Sequence, residues 1–384
     1  MKILVALTYY RPHMSGLTIY SERLARALVK KGHSVTVMTS QYDRSLPRRE
    51  EMEGVTIIRV PVLARIGKGV IMPSFGITAA RLIRDHDVVH LHLPQFDAAR
   101  VALQGWLQKK PVIITYHCDL RLPKGILNWF ANQSVLLMNN IAALFSNKII
   151  TYTKDYADHS SFVSRYPQKL KIINPPVELP SVTATQIASF HKQFNSKDEH
   201  PVIGMAARFA SEKGVEVLLN AMENILMQYP RAQVWFAGPY ENIMGEQSYF
   251  ERLKPSINKY QQSGNWKFLG LLSPEEMALF YPNIDILTIP SLNSTEAFGL
   301  IQIEAMMHGV PSIASDLPGV RQPVLRHSMG EVIPIGSSSG LAEAVDKIMQ
   351  KKSAYNENWQ EIGAQYAPSE VAAEYENLYR ELIG

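Results

Sequence analysis

The sequence has little of several features that mark other classes of protein. Its single cysteine, Cys118, excludes an internal disulfide and fits a reducing compartment. The short apolar run near the start, MKILVALTYYRPH, is too brief for a signal-peptide core and is better explained as a first strand. No stretch reaches the ~18 apolar residues that a membrane span needs, because polar pairs at 139–140 and 146–147 interrupt the best candidate, residues 135–150. These absences predict a cytoplasmic protein.

Patterns for a dinucleotide site and for a metal site are also incomplete. A dinucleotide-binding loop needs Gly-x-Gly-x-x-Gly after the first strand, whereas residues 9–17 contain one glycine, Gly16. The Asp-His-Asp run at 85–87 could hold a divalent cation, but it precedes a predicted strand and therefore lies at the wrong edge of the sheet for a ligand. His90 and His92 share one face of that strand, yet no further His or Cys follows at ligand spacing. We predict packing or acceptor contacts for them, and no metal.

The composition is that of a globular protein with more than one core. The chain has 384 residues, 46% of them apolar and 19% charged. A net charge of +4 suits phosphorylated ligands or an anionic membrane surface, but it is far from the basic density of a dedicated nucleic-acid binder. Nucleic acid is therefore not an expected partner.

Short Val/Ile runs alternate with helical patterns, which predicts parallel sheets buried on both faces. A proline-rich stretch at 172–180 separates two such series. We therefore predict two doubly wound, Rossmann-like α/β domains, 1–178 and 179–367, with ligands in a deep cleft between them. The expected strands are 3–8, 35–39, 55–60, 88–92, 112–116, 202–206, 233–237, 266–269, 286–289 and 311–314, and the expected helices include 18–31, 214–227 and 369–383.

The most informative motif runs from Glu296 to Glu304 and reads EAFGLIQIE. A loop containing Phe298 and Gly299 opens directly into a predicted helix, whose free backbone N–H groups would attract phosphate. Glu296 in the loop can face a sugar while Glu304, eight residues later, reaches a ribose. The alternative is a capped surface helix with two solvated acids.

A second motif, ARFASEKG, follows the predicted strand 202–206. Arg208 and Lys213 lie in the loop at the carboxyl end of that strand, where a ligand phosphate would lie. Two fixed cations can neutralise a departing diphosphate without a metal ion. Alone this pattern is more typical of a solvated loop, so its weight comes from the Glu296 motif.

The two motifs resemble those of the retaining glycosyltransferase family 4, the group 1 glycosyl transferases of GT-B fold. The likeness covers nearly the whole chain: Ser15-Gly16, the strand end at 90–94, the segment 115–119, Phe268 to Gly270, Tyr281 with Asp285, and Pro290-Ser291. Two details depart from the family: its N-terminal loop often carries two adjacent glycines where this chain has Met14-Ser15-Gly16, and it often has Asn-Gly where this chain has Asn174-Pro175. The resemblance implies a GT-B architecture whose C-terminal helix, 368–384, crosses back to the first domain.

The resemblance also implies roles for single residues. Arg208 and Lys213 would hold and stabilise the departing diphosphate without a metal cofactor, and Glu296 would contact the hydroxyls of the transferred sugar. Glu304 would hydrogen-bond the ribose, and His117 would lie beside the sugar near its anomeric centre. The other donor-binding positions are backbone ones: Phe298, Gly299 and Leu300 at sugar and phosphate, Leu269, Leu271 and Leu272 beside the base, and Gly16 at phosphate or acceptor.

The expected function is transfer of a hexose or N-acetylhexosamine from a nucleotide sugar, such as UDP-glucose or GDP-mannose, to an acceptor hydroxyl. The family implies retention and a role in surface polysaccharide or glycolipid assembly. Two stretches, 59–72 and 121–130, combine cations with apolar residues and suit a lipid-linked acceptor at the inner face of the cell membrane. A sugar-nucleotide epimerase of the same architecture and a non-catalytic binding module are the alternatives.

Overall fold

The computed structural model of the chain describes residues 1–66, 69–121, 125–355 and 359–384. Its contacts divide the chain into two compact units. The N-terminal unit comprises Met1–Val177 together with Tyr366–Gly384, and the C-terminal unit comprises Glu178–Gln365. The N–H of Val177 donates to the carbonyl of Tyr366 at 2.8 Å, so the points where the chain leaves and re-enters the N-terminal unit are hydrogen-bonded to each other.

The N-terminal unit is built on an eight-stranded sheet with the order β10-β9-β8-β7-β1-β2-β4-β3. Its pairings are parallel except that β3 runs antiparallel to β4, and β5 pairs with β6 in a separate antiparallel two-stranded sheet. The strands are β1 Lys2–Ala6, β2 Ser34–Gln41, β3 Arg49–Met52, β4 Val55–Pro61, β5 Ala64–Ile66, β6 Gly69–Ile71, β7 Val88–Leu93, β8 Val112–Tyr116, β9 Lys148–Thr151 and β10 Leu170–Ile172. The helices are α1 Gly16–Lys30, α2 Phe75–Arg84, α3 Ala98–Leu107, α4 Ile126–Leu144 and α5 Lys154–His159.

The ammonium group of Lys169 binds carbonyl groups at the C-terminal end of helix α4. The ammonium group donates to the carbonyls of Ala143 at 2.7 Å, Leu144 at 3.2 Å and Ser146 at 2.6 Å. The last turn of a helix leaves carbonyl groups without intrahelical partners and carries partial negative charge, so a cation there is stabilising. Burial lowers the pKa of Lys169 from its usual value.

The C-terminal unit has a six-stranded parallel sheet with the order β13-β12-β11-β14-β15-β16. Its strands are β11 Val202–Ala206, β12 Gln233–Ala237, β13 Trp266–Gly270, β14 Ile286–Ile289, β15 Ser312–Ser315 and β16 Gly330–Ile333. Its helices are α6 Ala184–Phe194, α7 Val215–Gln228, α8 Gln247–Gln262, α9 Pro274–Phe280, α10 Leu300–Met306, α11 Gln322–His327, α12 Ser338–Gln350 and α13 Trp359–Tyr366, the last ending at the boundary between the units.

The last helix, α14 Pro368–Ile383, belongs to the N-terminal unit and packs on α1. Val371, Tyr375, Leu378 and Tyr379 are buried at helical spacing, whereas Leu382, which continues this spacing, is only partly buried. The hydroxyl of Tyr375 lies 2.7 Å from that of Tyr20 on α1.

The predicted strands are all present, several with ends shifted by one or two residues. The Rossmann-like α/β fold class is therefore confirmed. Strands β3, β5, β6, β9, β10 and β16 were not predicted. All six are three or four residues long, which is too short for a clear periodic pattern, and β3 reads Arg-Glu-Glu-Met, an edge strand without an apolar run.

Candidate active site

In the C-terminal unit the strand order reverses between β11 and β14, and open α/β sheets bind ligands at such a switch point. The loops that follow these two strands are joined there. The N–H of Leu292 donates to the carbonyl of Glu212 at 2.9 Å. Gly214, at φ +73°, starts α7 so close to Pro290 that an added Cβ would lie 1.9 Å from the Pro290 carbonyl oxygen. Only glycine fits this junction.

The same junction joins one residue of each sequence motif. Lys213 Nζ lies 2.6 Å from Glu296 Oε2, and each side chain is 21% exposed. Both groups can therefore reach a ligand while each fixes the position of the other. A carboxylate-held ammonium group at the carboxyl edge of a sheet is suited to bind an anion that also carries hydroxyl groups.

Arg208, in the loop after β11, has a mixed environment. Its guanidinium forms an ion pair with Glu212, and one nitrogen, Nη1, is buried without an acceptor in the described chain. Burial lowers the pKa of Arg208, and the charge of Glu246 opposes that shift. A buried guanidinium N–H that lacks an acceptor is costly, and a phosphate oxygen would satisfy it.

The second glutamate of the EAFGLIQIE motif lies inside the unit. Glu304, on α10, accepts a hydrogen bond from the hydroxyl of Tyr281 at 2.6 Å and is buried. Gly299 precedes α10 at φ +77°, and Phe298 beside it is buried. The helix begins at Leu300, so the predicted loop-to-helix transition is present.

The predicted base-flanking segment follows β13. Leu269 is half-buried, Gly270 ends the strand at φ +73°, and Leu271 is exposed. The neighbouring ring of Phe268 stacks on Tyr240 with centroids 4.0 Å apart. The segment therefore lies at the same carboxyl edge of the sheet as the two loops, next to a rigid aromatic pair.

In the N-terminal unit, Gly16 and His117 follow β1 and β8 at the carboxyl edge of that sheet. Gly16 starts α1 after Ser15, whose hydroxyl oxygen accepts from the N–H of Thr18 at 3.2 Å. The His117 ring is buried, with Nε2 2.8 Å from Nδ1 of His92 and Nδ1 bonded to the Tyr152 hydroxyl. Burial lowers the pKa of His117 to about 3, so the ring is neutral at pH 7.

The patterns that we set aside have structural roles. The Asp87 carboxylate accepts from the N–H of Lys2 at 2.7 Å, so the Asp-x-Asp run lies at the amino ends of β7 and β1. His90 bonds Tyr379 and Thr115 at 2.8 and 2.7 Å. Within residues 1–66, 69–121, 125–355 and 359–384, no group of three or more His, Cys, Asp and Glu side chains is arranged to hold a metal ion.

Sequence reasoning missed two kinds of partner. Glu212 pairs with Arg208 from four residues away, and this spacing could have been noticed. Tyr152 reaches His117 from the end of β9, a strand that the sequence did not predict, so nothing in the sequence pointed to it.

Comparisons with known proteins identify the family of the chain. Residues 186–366 match the family model Glycosyl transferases group 1, and residues 14–180 match Glycosyltransferase Family 4, so the two models together cover nearly all of the chain. The chain is a GT-B glycosyltransferase and belongs to glycosyltransferase family 4.

Two relatives show how far the likeness extends. An uncharacterized glycosyltransferase of Methanocaldococcus jannaschii is 25% identical over 99% of this chain and 98% of its own. The phosphatidyl-myo-inositol mannosyltransferase of Mycolicibacterium smegmatis is 22% identical over 100% and 95%. These names describe transferases, and neither the epimerase nor the non-catalytic module is favoured.

Solved structures show the same fold. Anabaena HepE in complex with UDP-glucose superposes with a TM-score of 0.78 at 17% identity, covering 99% of this chain and 100% of that one. Sucrose-phosphate synthase from Thermosynechococcus elongatus gives 0.76 at 20% identity, covering 99% and 98%.

Proposed function

We propose that this glycosyltransferase takes a hexose or N-acetylhexosamine from a nucleotide diphosphate sugar bound by its C-terminal unit. The observation that carries the proposal is the buried Nη1 of Arg208, which lacks an acceptor in the described chain and belongs to the loop that also supplies Lys213. The hydroxyl groups of Ser291 and Ser294, in the loop after β14, are likewise buried without partners in the described ranges. Diphosphate and sugar oxygens would satisfy these atoms.

The reaction follows from these groups. The acceptor oxygen bonds to the anomeric carbon as the bond from that carbon to the β-phosphate oxygen breaks, and negative charge develops on the leaving diphosphate. Arg208 and Lys213 stabilise that charge, so no metal ion is required, and Glu296 holds Lys213 while contacting sugar hydroxyls. Because both ring nitrogens of His117 are engaged inside the N-terminal unit, we propose that the departing phosphate takes the acceptor proton on the same face, with retention.

Nucleotide binding tests the donor site directly. We expect a thermal shift with one of UDP, GDP and ADP that survives EDTA and is lost in Arg208→Ala and Lys213→Met. Arg252→Ala is the matched control, because Arg252 pairs with Glu216 on the surface of the same unit. UDP is the first nucleotide to try, since the HepE complex contains UDP-glucose. Folded protein that responds to no nucleotide would contradict the proposal, as would a shift abolished by EDTA.

Product analysis tests the chemistry. With the nucleotide sugar so identified and a lipid or saccharide acceptor, we expect a new glycosidic bond whose anomeric configuration matches that of the donor, as read by the one-bond C–H coupling at the anomeric carbon. An inverted product would contradict retention. Formation of an isomerised donor in the absence of acceptor would instead favour the alternative function, a sugar-nucleotide epimerase.

We further propose that the protein works at the cytoplasmic face of a membrane on a lipid-linked acceptor. Helix α4 has no charged residue, and Ile126, Phe130, Leu137 and Leu144 on one face are each more than half exposed. This face extends about 27 Å along the helix. Trp129 is also exposed beside Phe130, with ring centroids 4.9 Å apart. No helix of the described residues is long and apolar enough to span a bilayer.

The charges around this apolar face favour an anionic bilayer as its binding partner. From residue 120 to residue 154 the sequence contains no Asp or Glu, and Lys109 and Lys110 follow the neighbouring helix α3. An exposed apolar face flanked by cations binds anionic lipid surfaces.

The structure corrects part of the sequence expectation here. In the stretch 59–72, Arg59 and Met72 are buried, and the Arg59 guanidinium pairs with Glu50 inside the unit. Leu63 and Ile71 of this stretch are exposed, but the second stretch supplies the larger apolar surface, and Lys68 and Lys124 lie outside the described residues.

Vesicle flotation tests the membrane proposal without any enzymatic reaction. We expect binding to phosphatidylglycerol-containing vesicles that falls at least tenfold in Trp129→Glu/Phe130→Glu and weakens with salt. Met227→Glu is the control, because Met227 is an apolar residue on α7 of the other unit and is even more exposed than Trp129 and Phe130. Equal binding by the double variant, or by neutral vesicles, would contradict the assignment.

A further inference from the structure

Three imidazole rings form a buried stack in the N-terminal unit. The rings of His90 and His92 are 4.4 Å apart, and those of His92 and His117 are 5.1 Å apart, each pair nearly parallel. All three residues are buried, and burial lowers the pKa of His90 and His117 to about 3 and that of His92 well below its usual value. The stack is therefore uncharged at pH 7, and each ring carries one N–H and one bare nitrogen.

One hydroxyl proton determines where those N–H groups lie. Ser21 Oγ is 2.9 Å from the carbonyl oxygen of Leu17, which can only accept, so the single Ser21 proton is committed there. Ser21 Oγ is also 3.2 Å from His92 Nδ1, and this contact requires His92 to be the donor. His92 is thus protonated on Nδ1 and bare on Nε2.

The assignment passes from His92 to His117. The same His92 N–H faces His117 Nε2 at 2.8 Å, so this nitrogen must accept. The proton of His117 is then on Nδ1, where it faces the hydroxyl oxygen of Tyr152. Both hydrogen bonds are buried, so an alternative orientation of the ring would leave polar groups unpaired.

We infer that His92 is a positioning residue for the transfer reaction: it holds His117 as the neutral Nδ1–H tautomer, with the ring turned into the unit. This inference rests on the proposed function and on the place beside the sugar that the family resemblance implies for His117. The backbone N–H of His117 donates to the carbonyl of Leu93 at 3.0 Å. This bond and the hydrogen bonds of the ring together fix the first residue of the loop after β8. His117 then contributes a fixed backbone at the sugar rather than a base.

His90 provides a matched comparison on the same strand. It is equally buried and bonds Tyr379 and Thr115, with Thr115 in turn 2.7 Å from Tyr375. These contacts tie α14 to the sheet but include no hydrogen bond to His117. Replacing His90 therefore damages packing to a similar degree without removing the bond that orients His117.

The test compares His92→Leu, His92→Asn and His90→Leu in the full chain. The Asn side-chain N–H can occupy the place of His Nδ1–H, whereas Leu cannot. We expect His92→Leu to lower kcat at least tenfold with donor KM nearly unchanged, His92→Asn to restore most of the loss, and His90→Leu to lower Tm similarly with a smaller loss of kcat. Full turnover in His92→Leu would overturn the inference, as would equal losses in both Leu variants with no rescue by Asn.

A second readout does not depend on activity. Long-range proton–nitrogen spectra of histidine-labelled wild-type protein should show His117 with its proton on Nδ1, and this signal should persist in His92→Asn and change in His92→Leu. A proton on Nε2 of His117 in the wild type would overturn the inference. If the wild type transfers no sugar, the proposed function fails, and this spectrum still decides the tautomer.

Discussion

Replacement of Asp285 by Asn should destabilise the C-terminal unit, whose sheet carries the candidate donor site. Asp285 precedes β14, is 8% exposed at its side chain, and accepts from the N–H of Val202 at 2.7 Å, His200 Nδ1 at 2.6 Å and Lys352 Nζ at 2.5 Å. Asn keeps the shape and one acceptor but removes the charge. Breaking a fully buried ion pair costs ~3–5 kcal/mol. Since both cationic partners are 43% exposed, we expect about 2–3 kcal/mol here.

Urea and thermal unfolding measure this loss, which corresponds to a fall in Tm of about 4–12 °C for a unit of this size. Asp198→Asn is the control. Asp198 contacts His191 and His200 at 3.2 Å, but its carboxylate is 77% exposed, so its loss should cost less than about 0.5 kcal/mol. Equal effects of the two substitutions would refute the reasoning, because burial would then not decide the strength of the pair.

The pH dependence gives this prediction a sign. Burial lowers the pKa of His200, but hydrogen bonds and charge from Asp285 and Asp198 outweigh it and raise the pKa overall. Burial raises the pKa of Asp285, but Lys352, His200 and the Val202 N–H outweigh it and lower the pKa overall. The His200 contribution is present below its unfolded pKa of about 6.5 and lost as pH rises through the folded value. The Asp285 contribution is present above about 3.9 and lost as pH falls through the folded value. The cost of Asp285→Asn should therefore be larger at pH 5.5 than at pH 8.5, and unfolding curves showing the reverse order would contradict the pairing.

Three further predictions follow from local contacts, the last with its own control substitution. Glu212→Gln removes one negative charge beside Arg208, and we expect nucleotide diphosphate to bind about 3–10-fold more tightly by calorimetry. This is the effect of removing a charge ~6 Å from a phosphate at an effective dielectric constant of ~40–80. Weaker binding would contradict this expectation and would mean that Glu212 is needed to orient Arg208. Lys169→Met removes three hydrogen bonds at the end of α4 and should cost about 1–2 kcal/mol in urea unfolding, an estimate that an unchanged midpoint would contradict. Gly214→Ala places a Cβ against a carbonyl oxygen and should cost about 2–4 kcal/mol, whereas Gly16→Ala, whose Cβ would meet nothing within 4 Å, should not destabilise.

The sequence predicts the fold well where burial leaves a pattern. Central strands such as Val112–Tyr116 and Val202–Ala206 have predicted and observed bounds that agree, since both faces of a parallel sheet are covered and every residue is apolar or small. Strand β3 has charged residues and is paired on one side only, so its existence depends on the neighbour β4 rather than on its own composition. Arg59 shows the opposite error, because a charge in a strand pattern suggests the surface, yet Glu50 on β3 and the carbonyl of Arg11 take up its guanidinium inside the unit.

In the candidate site, local motifs predict the residues, whereas contacts between residues far apart in sequence could not be predicted. Arg208, Lys213, Glu296 and Glu304 could be named because each lies in a motif whose residue types and spacing suit phosphate and sugar chemistry. Contact between Lys213 and Glu296 could not be predicted from either motif alone. It depends on β11 and β14 being neighbours in the sheet, although β12 and β13 lie between them in sequence.

The surroundings of His117 depend even more on tertiary structure, and this is why the sequence could name the residue without its role. The rings and hydroxyls around the stack come from α1, β7, β8, the end of β9 and α14, and Tyr20 meets Tyr375 across 355 positions of the chain. The sequence alone does not distinguish a neutral, buried histidine from a solvent-exposed histidine that acts as a catalytic base. Only the burial that lowers the pKa of His117, and the hydrogen bonds that occupy both of its ring nitrogens, distinguish the two, and both argue against proton transfer by the ring.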